Sequence, residues 1–309
     1  MQTVIIIVGI ILFLVLWGYI EQKQLVTTKY TIVSTRLPKQ LDNTNFIVLA
    51  DLHNQTFGKN NERLIQRIHT LSPEFIIVAG DMINKKETCY SSHAYTLLEA
   101  LAKNYKIYYA YGNHEQKIDL YENNTLNSNT SNKSASNNDT FNSMDVYSTW
   151  VEYKERLNAV GVTFLNNQSI TINKNTAKLR ITGISIGYKY FERNSTPEME
   201  AGYLKELVGN KVEEEYQLLI AHNPVYFKDY AKWGADLTLS GHMHGGMIRI
   251  PGVGGVLSPQ AKFFPKYHSG IFTENKLQLV VSRGLGSHSI MPRLFNLPEI
   301  VLVSLKNKE

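Results

Sequence analysis

Residues 46–51 read FIVLAD, five apolar residues closed by an aspartate. An unbroken apolar run of this length is the mark of a strand buried on both faces. The pattern returns in residues 75–81, FIIVAGD, and in residues 106–113, KIYYAYGN. Helical spacing lies between the runs. Leu64, Ile65, Ile68 and Leu71 share one face of residues 60–71 before Pro73 stops the turn, and residues 91–103 form a second candidate helix. Strand–helix–strand repeats predict parallel strands with right-handed crossovers. In such sheets ligands gather beyond the carboxyl ends of the strands. Asp51, Asp81 and Asn113 each stand at such an end. Packing alone gives no reason for polar residues to recur in that place.

The second half repeats the theme. Residues 147–160 read as a helix, followed by short strands in VTFL, SITIN and LRITGIS. Residues 198–208 and 226–233 read as helices, YQLLIAHNP delivers His222, and ADLTLSGH delivers His242. LQLVVSRG and EIVLVSL close the chain as strands after a Gly/Pro-rich loop, residues 251–270, that carries Phe263, Phe264 and Tyr267. This half predicts a second sheet with helices outside it. Together the halves predict a two-sheet α/β sandwich with its site along the rim.

Residues 241–246, GHMHGG, place His242 and His244 one residue apart. Alternate residues of a strand face opposite ways, so both rings meet one site only where a Gly-rich turn has replaced the strand. Neutral imidazole is the commonest metal ligand in proteins. Matching candidates are Asp51, His53, Asp81, Asn113, His114 and His222. Each has a plain alternative. Asp51 and Asp81 suit helix caps or turns, Asn113 a Gly-Asn turn, and His222 a loop before Asn223-Pro224. Those alternatives need a separate coincidence for every motif. Asp, His and Asn are the hard and borderline ligands that two closely spaced divalent ions require. His69 and His93 read as helix-surface residues, and His268 and His288 as loop residues.

Composition bounds the rest. The chain has 309 residues, 43% hydrophobic and 19% charged, with a net charge of +5, which fits one large globular domain. No long basic run points to a nucleic-acid partner. The single cysteine, Cys89, excludes an internal disulfide and a thiolate metal cluster. Residues 4–20, VIIIVGIILFLVLWGYI, carry no charge and suit a lipid bilayer. A cleaved signal peptide is the competing reading. It calls for a small-x-small site, whereas Trp17, Gly18, Tyr19, Ile20 and Glu21 follow here. The expectation is a retained single-pass anchor in residues 1–23 and a catalytic domain in residues 24–309. Lys23, Lys29 and Arg36 after the span place that domain in the cytoplasm. Residues 123–143 contain 8 Asn, 5 Ser and 3 Thr, too little apolar surface to order a segment, and read as a flexible insertion. The sequons, Asn54-Gln55-Thr56 among them, are not read as glycosylated, because a glycan on Asn54 would crowd His53.

The series DLH (51–53), GD (80–81), GNHE (112–115), AHNP (221–224) and GHMHGG (241–246) resembles the calcineurin-like metallophosphoesterase pattern, in that family's order. GHMHGGMIRIPGVGG, FFPKYHSG and SRGLG…PRLFNLPEIVLVSL resemble its membrane-associated bacterial branch. The resemblance spans residues 30–309. It implies that Asp51, His53 and His244 hold one metal and that Asn113, His222 and His242 hold another. Asp81 would bridge them, together with a water or hydroxide that attacks phosphorus. His114 would stabilise or protonate the leaving group, with Asn113 beside the phosphoryl oxygens. Glu115 is either an orienting carboxylate for His114 or a surface group. Two divalent ions (manganese, iron or zinc) are the implied cofactors. Ala50 departs from a common Ser without touching a ligand. GISIGYKYFERN (183–194) stands where many relatives carry an Asp, so Tyr188, Lys189 and Tyr190 are read as an exposed loop.

The expected function is hydrolysis of a phosphodiester or pyrophosphate, with a lipid-linked substrate suggested by the anchor, Phe263 and Phe264. The alternatives are a nucleotide or lipid-sugar-nucleotide pyrophosphatase and a catalytically silent metal-binding scaffold.

Overall fold

The computed structural model describes residues 1–53, 55–84, 92–128, 143–193, 195–246, 248–287 and 293–309. Asn54, Cys89, His288 and most of the Asn/Ser-rich segment lie outside the described residues. Helix α1 (Gln2–Glu21) is 20 residues long, without a charge before Glu21, and exposed except at half-buried Leu14 and buried Gly18 and Glu21. By length and composition it could cross a membrane or serve as a signal sequence.

Two six-stranded sheets follow. The first holds β1 (Val26–Ser34), β2 (Asn45–Leu49), β3 (Phe75–Ala79), β4 (Lys106–Ala110), β5 (Val162–Leu165) and β14 (Glu299–Asn307), in the order β1-β14-β2-β3-β4-β5. Strands β2 to β5 are mutually parallel, and β14 lies antiparallel to β2. The second sheet holds β6 (Gln168–Lys174), β7 (Ala177–Ile184), β8 (Tyr216–Ala221), β9 (Leu237–Ser240), β12 (Gly270–Glu274) and β13 (Leu277–Val281). Its order is β12-β13-β9-β8-β7-β6, with β7, β8, β9 and β13 parallel. A small ribbon of β10 (Arg249–Ile250) and β11 (Gly254–Gly255) stands apart.

Alternation along the strands builds the layers. Phe46, Val48 and Ala50 face Leu218, Ile220 and Leu239 in a core between the sheets. Ile47 and Leu49 point the other way, onto α2 (Glu62–Leu71), α3 (His93–Ala102), α4 (Asn113–Ser128) and α5 (Ser143–Ala159), which contribute Leu64, Leu98, Ile118 and Trp150. Helices α6 (Tyr203–Val208) and α7 (Phe227–Trp233) cover the second sheet through Leu204 and Tyr230. Ser92 caps α3, its Oγ accepting from Tyr95 N–H at 3.1 Å.

The predicted two-sheet α/β sandwich is the fold, with two corrections. VTFL (β5) and EIVLVSL (β14) belong to the first sheet. The terminal strand crosses back to sit between β1 and β2, where Val301, Val303 and Leu305 enter the inter-sheet core. Apolar alternation shows a strand but not its neighbours. Helix α4 also starts at Asn113 and runs into the Asn-rich stretch as far as Ser128.

Candidate metal centre

The strand ends meet along one rim. Asp51 follows β2, Asp81 follows β3, His222 follows β8, and His242 and His244 follow β9, while Asn113 opens α4. Four of these residues and neighbouring His53 hold positive φ: Asp51 52°, His53 44°, Asp81 53°, His242 67° and His244 48°. A left-handed backbone costs a residue with a Cβ about 1–3 kcal/mol, and such strain collects at functional sites. It also resolves the His-x-His problem, because the left-handed backbone at His242 and His244 breaks the strand alternation and both residues line one cavity.

The ligand-type atoms form small clusters. Asp51, His53 and His244 each offer an atom within 4.8 Å of the others, as do Asp81, His222 and His242, and His53, Asp81 and His114. His53 Nε2 lies 3.2 Å from His244 Nε2 and 4.0 Å from Asp51 Oδ1. His222 Nε2 lies 3.1 Å from Asp81 Oδ2 and 3.7 Å from Asp51 Oδ1. Asp81 Oδ2 is also 3.8 Å from His53 Nε2 and 4.0 Å from His114 Nε2. Asp51 and Asp81 are almost completely buried.

Supporting groups aim these side chains. His222 Nδ1 contacts Ala79 O at 2.6 Å, His244 Nδ1 contacts Gly286 O at 3.2 Å, and His53 Nδ1 contacts Asn84 Oδ1 at 3.1 Å. An oxygen partner on Nδ1 keeps the proton there and leaves the Nε2 lone pair for a cation. The Asp51 carboxylate accepts from His242 N–H at 3.0 and 3.1 Å. Asp81 Oδ1 accepts from His114 N–H at 2.9 Å.

Glu115 is no surface group. It is fully buried and accepts from Asp81 N–H, Met82 N–H and Gly112 N–H, each at 2.9 Å, and from Tyr109 O–H at 2.7 Å. Its carboxylate ties the loop carrying Asp81 to the loop leading into α4. Burial, then Asp81, pushes its pKa up.

Charge in the cluster is out of balance. Burial pushes the Asp51 carboxyl up to about 7 against the pull of His222. Burial also works to raise Asp81, but His222, His114 and His53 outweigh it and hold that carboxyl well below the usual range. Burial works to lower His222, and the Asp81 and Asp51 carboxylates overcome it, taking the imidazole up to about 10. Two buried carboxylates thus borrow protonated imidazole as counterion, the place a divalent cation would take. Asn113 Oδ1 is buried without a hydrogen-bond partner, an acceptor suited to a cation. The donor set, all oxygen and imidazole nitrogen, fits divalent metal ions.

A cavity of about 480 Å³ opens over the cluster, lined by Asp81, Asn113, His114, His242, His244, Lys117, Tyr188, Phe191, Glu192, Arg193, Pro259 and Gln260. Tyr188 therefore reaches the site, whereas Lys189 pairs with Glu200 at 2.8 Å and Tyr190 is core. Exposed His69 meets Tyr105 O–H at 2.9 Å, and His268 sits against Arg249 at 3.2 Å. Sequence reasoning missed Lys117, Asn84 and Arg293. Lys117 lies four residues beyond Asn113, one helical turn away, a spacing that could have revealed it once the helix was seen. Buried Arg293 donates to Gly286 O, the carbonyl that also meets His244, and to Arg283 O at 2.6 Å.

This fold and site define a metal-dependent phosphoric ester hydrolase, and the chain belongs to the calcineurin-like phosphoesterase family, whose model matches residues 44–246. Among its relatives is the uncharacterized metallophosphoesterase YkuE of Bacillus subtilis (strain 168), 25% identical over 94% of this chain and 88% of that protein. The phosphodiesterase YaeI of Escherichia coli (strain K12) is 25% identical over 84% of this chain and 81% of its own. A crystal structure of a phosphopantetheinyl hydrolase, PptH, from Mycobacterium tuberculosis matches with a TM-score of 0.44 and 12% identity, covering 78% of this chain and 89% of that one.

Proposed function

We propose that the chain is a membrane-anchored phosphohydrolase that cleaves a phosphodiester or pyrophosphate with a pair of divalent cations. The observation that supports this most is the convergence of two buried ligand triads, Asp51/His53/His244 and Asp81/His222/His242, on one cavity. The first triad would hold one cation. His222, His242 and the buried Asn113 Oδ1 would hold the second, with Asp81, which faces both His53 and His222, as the bridge. Such a pair, when bound, supplies a water that ionises near neutrality and offsets phosphoryl charge.

The remaining work belongs to the chain. Asn113 lines the cavity where the phosphoryl oxygens would sit. His114, 14% exposed at its side chain and open to the cavity, is placed to give a proton to the leaving oxygen. Lys117 and Arg193 add positive charge at the cavity wall, which also carries Glu192. The diester is supported by the name of the relative YaeI, a phosphodiesterase. Helix α1 and the exposed Phe263 and Phe264 support a lipid-linked substrate and a place in the cell membrane. The charges of Lys23, Lys29 and Arg36 favour a cytoplasmic site. Lys117 and Arg193 would suit a second phosphate, as in a nucleotide or lipid-sugar-nucleotide pyrophosphatase. The full set of candidate ligands, with His114, argues against a silent scaffold.

The test uses the full chain in detergent, stripped of metal and resupplied with manganese, iron, zinc or magnesium. Hydrolysis of bis-p-nitrophenyl phosphate is compared with that of the monoester. Metal-dependent diester cleavage, reduced on the order of 10²- to 10⁴-fold in His114→Ala, is expected. Metal binding without turnover of either ester, or of a pyrophosphate, would favour the scaffold.

A further inference from the structure

C-terminal to α1, ten large apolar side chains are exposed among the described residues, and five of them are Ile250 (45%), Val253 (61%), Phe263 (73%), Phe264 (60%) and Phe295 (50%). They fall on two segments, 249–264 and 294–296, that backbone hydrogen bonds join. Ile248 bridges Leu294, and Arg249 N–H donates to Leu294 O at 2.9 Å. Val256 N–H donates to Ile248 O at 2.9 Å, Phe264 N–H donates to Val256 O at 2.8 Å, and Leu257 bridges Phe263. Neighbouring strands lie about 4.8 Å apart. Ile250, Val253 and Phe295 line one shallow cavity, and exposed Phe263 and Phe264 lie on the segment hydrogen-bonded beside it. Adjoining exposed apolar surface marks an interaction face.

The occupant is indicated by what the surface adjoins. Asn296 N–H, one residue beyond Phe295, donates to Glu21 Oε2 at 3.2 Å, and Glu21 is the buried last residue of α1. Trp17 Nε1–H donates to the other oxygen of the same carboxylate at 3.0 Å. The apolar helix is thus fixed by its final turn to the segment that carries Phe295. The chain from 249 to 270 holds no acidic residue. Of its three cations Lys266 is exposed, while Arg249 donates to Gly245 O and Ser269 and Lys262 to Thr196, so the charge facing outward there is positive and suits anionic headgroups.

We infer that residues 249–264 and Phe295 form a second bilayer contact beside the base of α1, with Val253, Phe263 and Phe264 entering the interface. The inference rests on the reading of α1 as a membrane anchor and adds a surface to it. Pro259 and Gln260 of the same loop line the site cavity. Contact with the bilayer therefore holds one wall of the site at the headgroup layer, within about 10 Å of chain from Phe263.

The test places an environment-sensitive fluorophore on single cysteines in full-length protein carrying Cys89→Ser, reconstituted in vesicles containing anionic lipid. The positions are Ile10→Cys in α1, then Val253→Cys, Phe264→Cys and Phe295→Cys. Thr176→Cys, exposed in the turn between β6 and β7 at the far end of the sheets, is the control. Nitroxide lipids are expected to quench most of the fluorescence at Ile10, Val253, Phe264 and Phe295 and to spare Thr176. Quenching at Ile10 with the three surface positions behaving like Thr176 would overturn the second contact and leave the anchor standing. Quenching at the three but not at Ile10 would keep the surface and remove the anchor. Shielding of the three that depends on protein concentration rather than lipid would assign the face to a second copy of the chain and overturn the inference.

Discussion

At the scale of single residues, Asp81, Asn113, His114, His242 and His244 line one cavity, and Asp51, His53 and His222 cluster with them behind it. Asp51, Asp81 and Asn113 were legible because each interrupts an apolar run at a strand end. Glu115 was not, since three hydrogen bonds from loop N–H groups and one from the Tyr109 hydroxyl cannot be read from spacing. Glu115→Gln puts an N–H₂ where only donors converge, and should lower stability by about 1–3 kcal/mol in urea unfolding. Asn84 and Arg293 were missed for the same reason, because a buried polar group declares itself only through partners distant in sequence. The titrations give a further expectation. Asp51, with an ordinary pKa of 3.8, is held up to about 7, and His222, with an ordinary 6.5, is held up to about 10. Between those values the folded state keeps protons that the unfolded chain has lost. Both contributions are whole below the unfolded pKa and fade as pH rises through the folded one. Asp81, held low, works in the opposite sense only as pH falls below its ordinary 3.8. Metal-free protein should therefore lose stability steadily as pH is raised across the neutral range. Added divalent metal should reverse the trend, since binding expels those protons. Melting curves with chelator and with manganese would show it, and a metal-free protein that gains stability on going alkaline would contradict it.

At the scale of elements, the strands and their helices followed from apolar runs and periodicity, while their order did not. β14 enters the first sheet between β1 and β2, a placement that its own apolar pattern does not encode. The strand-end turns also carry a constraint beyond the ligands. A Cβ at Gly112 would overlap the Asp81 carboxylate and its backbone nitrogen. Gly112→Ala should then displace Asp81 and lower metal affinity about 10- to 100-fold, the range seen when the supports of a metal site are lost. Gly187→Ala, where a Cβ would meet only ordinary contacts at 3.4 Å and beyond, should leave affinity unchanged. Isothermal titration on both variants distinguishes a crowded carboxylate from a general loss of fold. Another element-scale link is the clasp between α1 and the site's support. Asn296 Nδ2 donates to His244 O at 2.6 Å while its N–H reaches Glu21. Glu21→Ala removes the acceptor shared by Asn296 and Trp17, and should lower the denaturation midpoint of the full chain by an amount equal to about 1–3 kcal/mol.

At the scale of the whole molecule, two sheets bring their strand ends to one rim. The first supplies Asp51, His53, Asp81 and Asn113, and the second supplies His222, His242 and His244. Neither sheet holds a complete set, so the site exists only when the sheets pack through their shared core. That dependence ties metal binding to global stability, and ligand-bound protein should melt at a higher temperature than stripped protein. The most direct measurement is the metal content of purified full-length protein by mass spectrometry, beside an Asp81→Asn variant shown to be folded by circular dichroism. Close to two divalent ions per chain, falling in the variant together with diester hydrolysis, is the expected result. A folded wild-type chain that takes up no divalent metal under any loading condition would contradict the metal centre itself.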